Sequence, residues 1–414
     1  MGAEITLPET ASFEQAEIRG LAFLLGFYFS FRLAIVLFSV RLLGLQPSTG
    51  SALSIGLDLM LFGLICFATV GGRQRAIRLE LRLPAVRWVL AYLAFACLSF
   101  VWSESANLMH SFAYWIGLVT DVANMVLLLR MGSGTDVAHA VMKGFVWGTC
   151  CIALVAWMMP RTPDRRLGDD QFMGPNPIGY LCALACFFAQ YLLRERAQRL
   201  LVAQSTLLAV TVLRSLSKTT IVAFVVSEGF LLAADKSTRR GGKLLVTLSA
   251  AAVVVVMWGL LVSYYGVYTS SGSEAATLSG RLGIWAYFLA EAVRRPWIGH
   301  GFDSVRHVVP PFGPGQFEAA HAHNELLQQF YTYGLVGVGM FFGIYGSLYL
   351  QIRRLAKGSL RSLLLAFLLF VLVHGTAEAD RIDLLLPVWA IVMLSVVIEQ
   401  ARGEEGGPGR ACSH

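Results

Sequence analysis

HAHNELLQQFYTYGLVGVGMFFGIYGSLYLQIRR, residues 321–354, holds the pattern that decides the fold. No charged side chain occurs between Glu325 and Arg353. That run exceeds the ~20 residues an α-helix needs to cross a hydrocarbon core of ~30 Å. Histidines with Asn324 and Glu325 stand at one end, and paired arginines at the other. A helix built this way spans a membrane with its arginines on the cytoplasmic side. Its polar, potentially reactive end then faces outward.

Runs of the same kind recur in both directions. They lie near 21–45, 52–70, 86–102, 112–130, 137–158, 176–193, 198–213, 218–234, 243–265, 325–350, 360–377 and 383–400, about twelve in all by length. The 414 residues are 56% hydrophobic and only 14% charged, with mean hydropathy +0.63. A soluble domain carries nearly twice that charged share. The expectation is an all-α polytopic integral membrane protein. Residues 1–20 form a cytoplasmic segment, 21–265 nine spans, 266–324 a large periplasmic loop containing amphipathic helices, 325–400 three spans and 401–414 a cytoplasmic tail. The first apolar run is long and further runs follow it, so no cleavable signal is expected. Six of the seven cysteines fall in or beside apolar runs without CxxC spacing and read as packing residues, not disulfides or metal ligands. No phosphate-binding loop or dinucleotide fingerprint is present, so neither ATP nor NAD is suggested. The net charge of +7 sorts by topology and calls for no nucleic acid.

With the N-terminus cytoplasmic, the inner loops collect Arg73, Arg75, Arg78 and Arg82, then Arg194, Arg196 and Arg199, then Lys236, Arg239, Arg240 and Lys243, then Arg353, Arg354, Lys357 and Arg361. The same assignment puts Ser279–Gly334 outside, in the periplasm of a bacterium with an inner membrane. Basic residues that break the rule are Arg161, Arg165 and Arg166, Arg214 and Lys218, and Arg281 with Arg294 and Arg295. They are either substrate contacts or, for Arg165 and Arg166, partners of Asp164, Asp169 and Asp170 in a solvated loop.

Three outer motifs each open a helix. Ser215-Leu216-Ser217-Lys218 precedes one apolar run, with Ser215 or Ser217 as N-cap. Ser279-Gly280-Arg281 opens an amphipathic segment with Leu282, Trp285, Leu289 and Ala292 at helical spacing, and Trp285, Tyr287 and Phe288 are expected at headgroup level. His321-Ala322-His323-Asn324-Glu325 opens the run quoted above. Helix N-termini favour anions, and Lys218 and Arg281 add the cationic groups that hold phosphate. A neutral histidine beside such a site suits general-base work. In this reading His323 takes a proton from an acceptor hydroxyl that attacks a sugar anomeric carbon, while Arg281 and Lys218 stabilise a departing diphosphate. Glu325 either orients His323 or favours the helix N-terminus. His321 with His323 is a weak metal signal without further ligands. His374, Glu378, Asp380 and Arg381 read as an outer cluster paired within itself.

At these residues the sequence resembles the O-antigen ligase and polymerase superfamily. The matching pieces are Ser217-Lys218-Thr219, Ser279-Gly280-Arg281 with Trp285, Pro296 through Gly301, and His323-Asn324 followed by Leu327 and Gly334, with weaker matches at Trp102-Ser103 and at Asn176 with Gly179. The resemblance spans roughly Trp102 to Gly346. It implies a metal-independent, GT-C-like membrane glycosyltransferase without cofactors. Its partners are an undecaprenyl-diphosphate-linked glycan donor, a lipid A–core or glycan acceptor, and membrane lipids. It also implies Arg281 as diphosphate-binding arginine and His323 as catalytic histidine, with Lys218 or Arg214 as the second cation. Ser217, Arg161, Arg165, Arg166, His321, Asn324 and Glu325 complete the candidate substrate-binding set. An O-antigen ligase is the first expectation and a polymerase the second. A transporter of lipid-linked sugars is the alternative of a different class; it should show inverted repeats and mid-membrane charges, whereas the polar groups read from sequence sit at one face.

Overall fold

A computed structural model describes residues 9–71, 80–159, 166–169, 173–195, 198–234, 281–305 and 319–405. Arg161, Arg165, Ser279, Gly280, His307, Cys412 and the expected span 243–265 lie outside them. Among the described residues the chain is helical, with twelve α-helices: α1 Glu9–Arg41, α2 Pro47–Gly71, α3 Pro84–Leu98, α4 Leu108–Met131, α5 Gly134–Met158, α6 Pro175–Leu193, α7 Arg199–Arg214, α8 Lys218–Ala234, α9 Arg281–Arg294, α10 Glu325–Arg354, α11 Ser359–Gly375 and α12 Val388–Glu405. Seven of them (α1 to α6 and α10) are long and apolar enough to cross a membrane, and α11 is a shorter apolar helix. The protein is a multi-pass membrane protein. Many large apolar side chains are exposed on the described helices, including Phe67, Trp88, Trp147 and Phe342, as a lipid-facing surface requires.

Helix α1 packs along α5, and α12 runs between α3, α4 and α5. The α1–α5 crossing is close enough that a Cβ on Gly144 would lie 1.9 Å from the Phe23 carbonyl oxygen and one on Gly26 2.0 Å from that of Val141. Small residues at such a crossing replace side-chain bulk with backbone contact, the usual source of helix association where lipid removes the hydrophobic drive. Trp389 of α12 stacks on Phe29 of α1, with centroids 4.1 Å apart, at the centre of the core. The described cysteines are free thiols on these helices.

Three expectations need correction. Segment 383–387 is not helical; α12 begins at Val388. The irregular segment 376–387 folds against the helix ends because its backbone amides find side-chain acceptors: Asp380 Oδ1 takes those of Ile382 and Asp383, Asp383 Oδ1 that of Leu384, and Glu325 Oε1 that of Leu385. Second, polar groups are not confined to one face. Arg32 of α1 pairs with Asp121 of α4 at 2.9 Å, and Asn124 of α4 donates to Asp58 of α2 at 3.1 Å. Each charge is isolated in its own apolar run, so single-helix hydropathy hides the cluster. Third, Phe288 does not face the lipid headgroups. It is buried with Ile284 and Ala292 against Tyr331, while Leu282 and Leu289 form the exposed face of α9.

Candidate active site

The site is positioned by a break in α10. Gly334 has φ 64 and ψ −153, a conformation that excludes other residues, and a Cβ there would lie 2.4 Å from the carbonyl carbon of Trp297. The break interrupts the hydrogen-bond ladder, and Pro296-Trp297-Ile298-Gly299-His300-Gly301 repairs it. The amides of His300 and Gly301 donate to the carbonyls of Tyr331 and Thr332, at 3.0 and 2.8 Å. Those of Leu335 and Val336 donate to Pro296 and Trp297, at 2.7 and 3.2 Å. Trp102 and Ser103 lock the same turn, through Trp102 Nε1 to the Ile298 carbonyl at 3.3 Å and Ser103 Oγ to the Phe302 carbonyl at 2.7 Å. Glu104 completes the lock with an ion pair to Arg295 and a 2.7 Å hydrogen bond with His300 Nδ1. These motifs therefore act as a scaffold that fixes α9 against α10.

On that scaffold His323 and Arg281 converge on Glu378. His323 Nδ1 lies 2.8 Å from Glu378 Oε2, and an Arg281 guanidinium nitrogen 3.4 Å from Oε1. Asn176 at the start of α6 donates to Oε1 at 2.9 Å, and Arg166 in turn donates to Asn176 at 2.8 Å. Arg281 also donates to Thr219 Oγ1 at 3.2 Å, which joins α9 to the start of α8. His323 takes φ 50, an unusual value for a side-chain-bearing residue. Its carbonyl accepts from Trp285 Nε1 at 3.3 Å and its amide donates to His321 Nδ1 at 3.2 Å, so both sides of the strained peptide are held.

Burial pushes the Glu378 carboxyl up, but the hydrogen bond from His323 and the charges that His323, His321 and Arg281 carry at the acid pH where it titrates outweigh burial and hold the group at about 2. An anionic Glu378 can only accept, so His323 Nδ1 is the donor, which in a neutral ring leaves the lone pair on Nε2. Burial, then the adjacent His323, push His321 down to about 4 and keep it neutral. The result is a histidine oriented by a carboxylate, beside a fixed cation.

The remaining sequence candidates separate. Lys218 is exposed at the N-terminus of α8, next to the Thr219 that touches Arg281. Arg214 is 3% exposed, with its guanidinium 6.0 Å from the Trp157 ring, in the packing of α7. Ser217 is 1% exposed and hydrogen-bonds Thr220, which reaches His374 Nε2 at 3.1 Å; it is a buried link, not a presented contact. Asn324 caps α10 by accepting from the Leu327 amide at 2.9 Å and donates to the Thr376 carbonyl at 3.0 Å. Glu325 does not orient His323. It is turned into the helix packing, where it accepts from Tyr345 at 3.0 Å and from the Leu385 amide at 2.8 Å. The expected self-paired outer cluster also separates: Glu378 serves His323 and Arg281, His374 meets Thr220, and Arg381 pairs with Asp303 at 2.9 Å.

Residues 203–342 match the O-antigen ligase family, Wzy_C. The Wzy_C segment brings in Thr219, Arg281 and His323, whereas Asn176, His374 and Glu378 come from outside it. The family comprises membrane glycosyltransferase-like ligases and polymerases acting on lipid-linked glycans. A comparison with curated proteins found no match.

Sequence reasoning missed Glu378 as the partner of His323 and missed Thr219 beside Arg281. The acidic residue nearest in sequence, Glu325, offered a false partner because chain proximity carries no direction for the side chain. His321, His323 and Glu378 do supply three donor atoms within 4.8 Å of one another, the third ligand that sequence alone did not reveal. However, the His323–Glu378 contact is a hydrogen bond, His321 Nδ1 accepts the His323 amide, and Arg281 places a cation on the same carboxylate. That donor chemistry suits a proton relay better than a divalent ion.

Proposed function

We propose that the protein transfers a polysaccharide from undecaprenyl diphosphate to a hydroxyl of lipid A–core at the periplasmic face of the inner membrane. The observation that carries this reading is the His323–Glu378 hydrogen bond, 2.8 Å, with Arg281 on the same carboxylate. His323 Nε2 removes the acceptor hydroxyl proton as the oxygen bonds to the anomeric carbon of the donor sugar. The carbon–oxygen bond to the diphosphate breaks, and its electron pair leaves with undecaprenyl diphosphate. Arg281 and the exposed Lys218 stabilise that charge as it develops. Glu378 is a positioning residue: it fixes the tautomer and favours the imidazolium that forms. General-base assistance of this type contributes about 10²–10⁴ in rate, and the activated donor supplies the driving force. The intramembrane Arg32–Asp121 pair is a feature transporters share, but an oriented histidine–carboxylate pair beside a cation serves bond making, which translocation does not need.

A deletion strain tests the reading through its surface glycans. A ligase loss leaves full-length undecaprenyl-linked polymer and bare lipid A–core. Core capped by a single repeat would instead assign polymerase chemistry to the same site. Normal surface polysaccharide in a strain carrying His323→Ala would refute both.

A further inference from the structure

A cavity of about 520 Å³ opens beneath the His323–Glu378 pair, between α1, α2, α4, α6 and the 376–387 segment. Its size falls within the range of about 300–1,000 Å³ usual for small-ligand sites. Along α1 its lining runs from Val36 to Tyr28, about 12 Å of helix at 1.5 Å per residue. His321, His323 and Glu378 line it, as do Arg32, Asp58 and Asp121. The catalytic pair and the intramembrane polar cluster therefore share one space.

The lining selects its occupant. Five carboxyl groups face it (Asp58, Asp121, Glu378, Asp380 and Asp383) against the single guanidinium of Arg32. Neither Arg281 nor Lys218 lines it. Such a lining, rich in hydrogen-bonding carboxyl groups and without Arg281 or Lys218, suits a ligand rich in hydroxyl groups better than a diphosphate. Tyr28, Tyr114 and Tyr180 add aromatic surface. His374 gives an independent sign of a missing partner. It lines the cavity and is 1% exposed; its Nε2 meets Thr220, while its Nδ1 has no hydrogen-bond partner. A buried polar atom left this way is costly unless a ligand satisfies it.

We propose that this cavity is the subsite for the acceptor sugar, an uncharged hydroxyl-rich glycan residue held between His323, His374 and the Arg32–Asp58–Asp121 cluster. The donor diphosphate then occupies the Arg281–Lys218 side, and Glu378 stands at the boundary. The assignment of the sugar to the acceptor rests on the transfer reading above.

Gly117 gives the test. It lines the cavity, and an added Cβ there meets nothing within 4 Å, so Gly117→Leu adds bulk to the lining from an unobstructed position. The probe is core oligosaccharide released by mild acid from the host's lipopolysaccharide, titrated into full-length protein in nanodiscs without donor. Binding to the native protein, weakened at least tenfold by Gly117→Leu and also by the isosteric Asp58→Asn, is the expected result. In the transfer assay both variants should raise the acceptor KM tenfold or more and leave the donor KM within twofold. Unchanged oligosaccharide binding in both folded variants, or an equal rise in donor KM, overturns the subsite. Oligosaccharide binding that Gly117→Leu weakens, in a protein that forms no transfer product, would instead refute the transfer reading and leave the sugar site standing.

Discussion

Replacing Glu378 by Gln keeps the shape of the side chain and removes its charge. The native carboxyl sits at about 2 against an ordinary 4.5. That difference corresponds to about 3 kcal/mol of net stabilisation of the anion by its neighbours, after the cost of burial. The hydrogen bond from His323 leads the favourable causes, ahead of His321 and Arg281. On the proposed mechanism His323 carries the acceptor's proton in the transition state, so its interaction with the carboxylate is stronger than in the resting enzyme. Loss of between about 1.4 and 3 kcal/mol there lowers kcat by roughly 10- to 150-fold. The assay is transfer from undecaprenyl-diphosphate-linked glycan in nanodiscs, with kcat and both KM values measured separately. The donor KM should stay within about threefold, since Arg281 keeps its contact with Thr219. A positioning role also predicts a loss of kcat across the whole range from pH 5 to 9, because Glu378 itself titrates near 2. Native kcat in a folded Glu378→Gln protein, or a loss confined to donor KM, would refute the role of Glu378 in orienting His323.

Arg281→Lys keeps a cation but loses the planar fork, and should lower kcat/KM for the donor by about 10² or more, with membrane insertion intact by fractionation. Lys218→Ala should raise the donor KM severalfold, whereas Arg214→Ala, which empties the packing under Trp157, should lower thermal stability with a smaller effect on donor KM. Gly334→Ala introduces a Cβ 2.4 Å from Trp297 in a glycine-only conformation; a cost of about 1–3 kcal/mol or more should appear as a lower Tm and poor yield. His321 is depressed to about 4 by burial, so the unfolded chain takes its proton first as pH falls from 6.5. Its contribution to stability is complete above pH 6.5 and is lost as pH falls through 4. The stabilising effect of the Glu378 anion is complete above 4.5 and lost as pH falls through about 2. His321→Gln should flatten the fall in Tm between pH 6.5 and 4, and an unchanged slope would contradict a neutral, half-buried His321.

Much of this protein is legible from the chain alone, because a membrane imposes local rules. Apolar length predicts helices one by one, and α2, α4, α5, α6, α7, α8 and α10 lie within a few residues of the expected runs. The motifs at Arg281 and His323 are likewise short-range signals, and the structure joins them through Glu378. What the sequence hides is any relation that depends on direction or on a distant partner. Glu325 follows His323 by two residues, yet the start of α10 turns it inward to Tyr345. Glu378 is distant in sequence and reaches His323 because α11 ends beside the start of α10. The Trp102-Ser103 and Pro296–Gly301 motifs carry the family resemblance, but only the broken ladder at Gly334 shows what they repair. Arg32, Asp58 and Asp121 each lie within the apolar stretch of a different helix, and hydropathy averages each one away. Sequence by itself determined the helices, the membrane and the two motifs at Arg281 and His323, since those follow from residue order. Tertiary structure alone decided which carboxylate serves the histidine and what lies beneath it, because hydrogen bonds and cavities are set by distances that residue order does not contain.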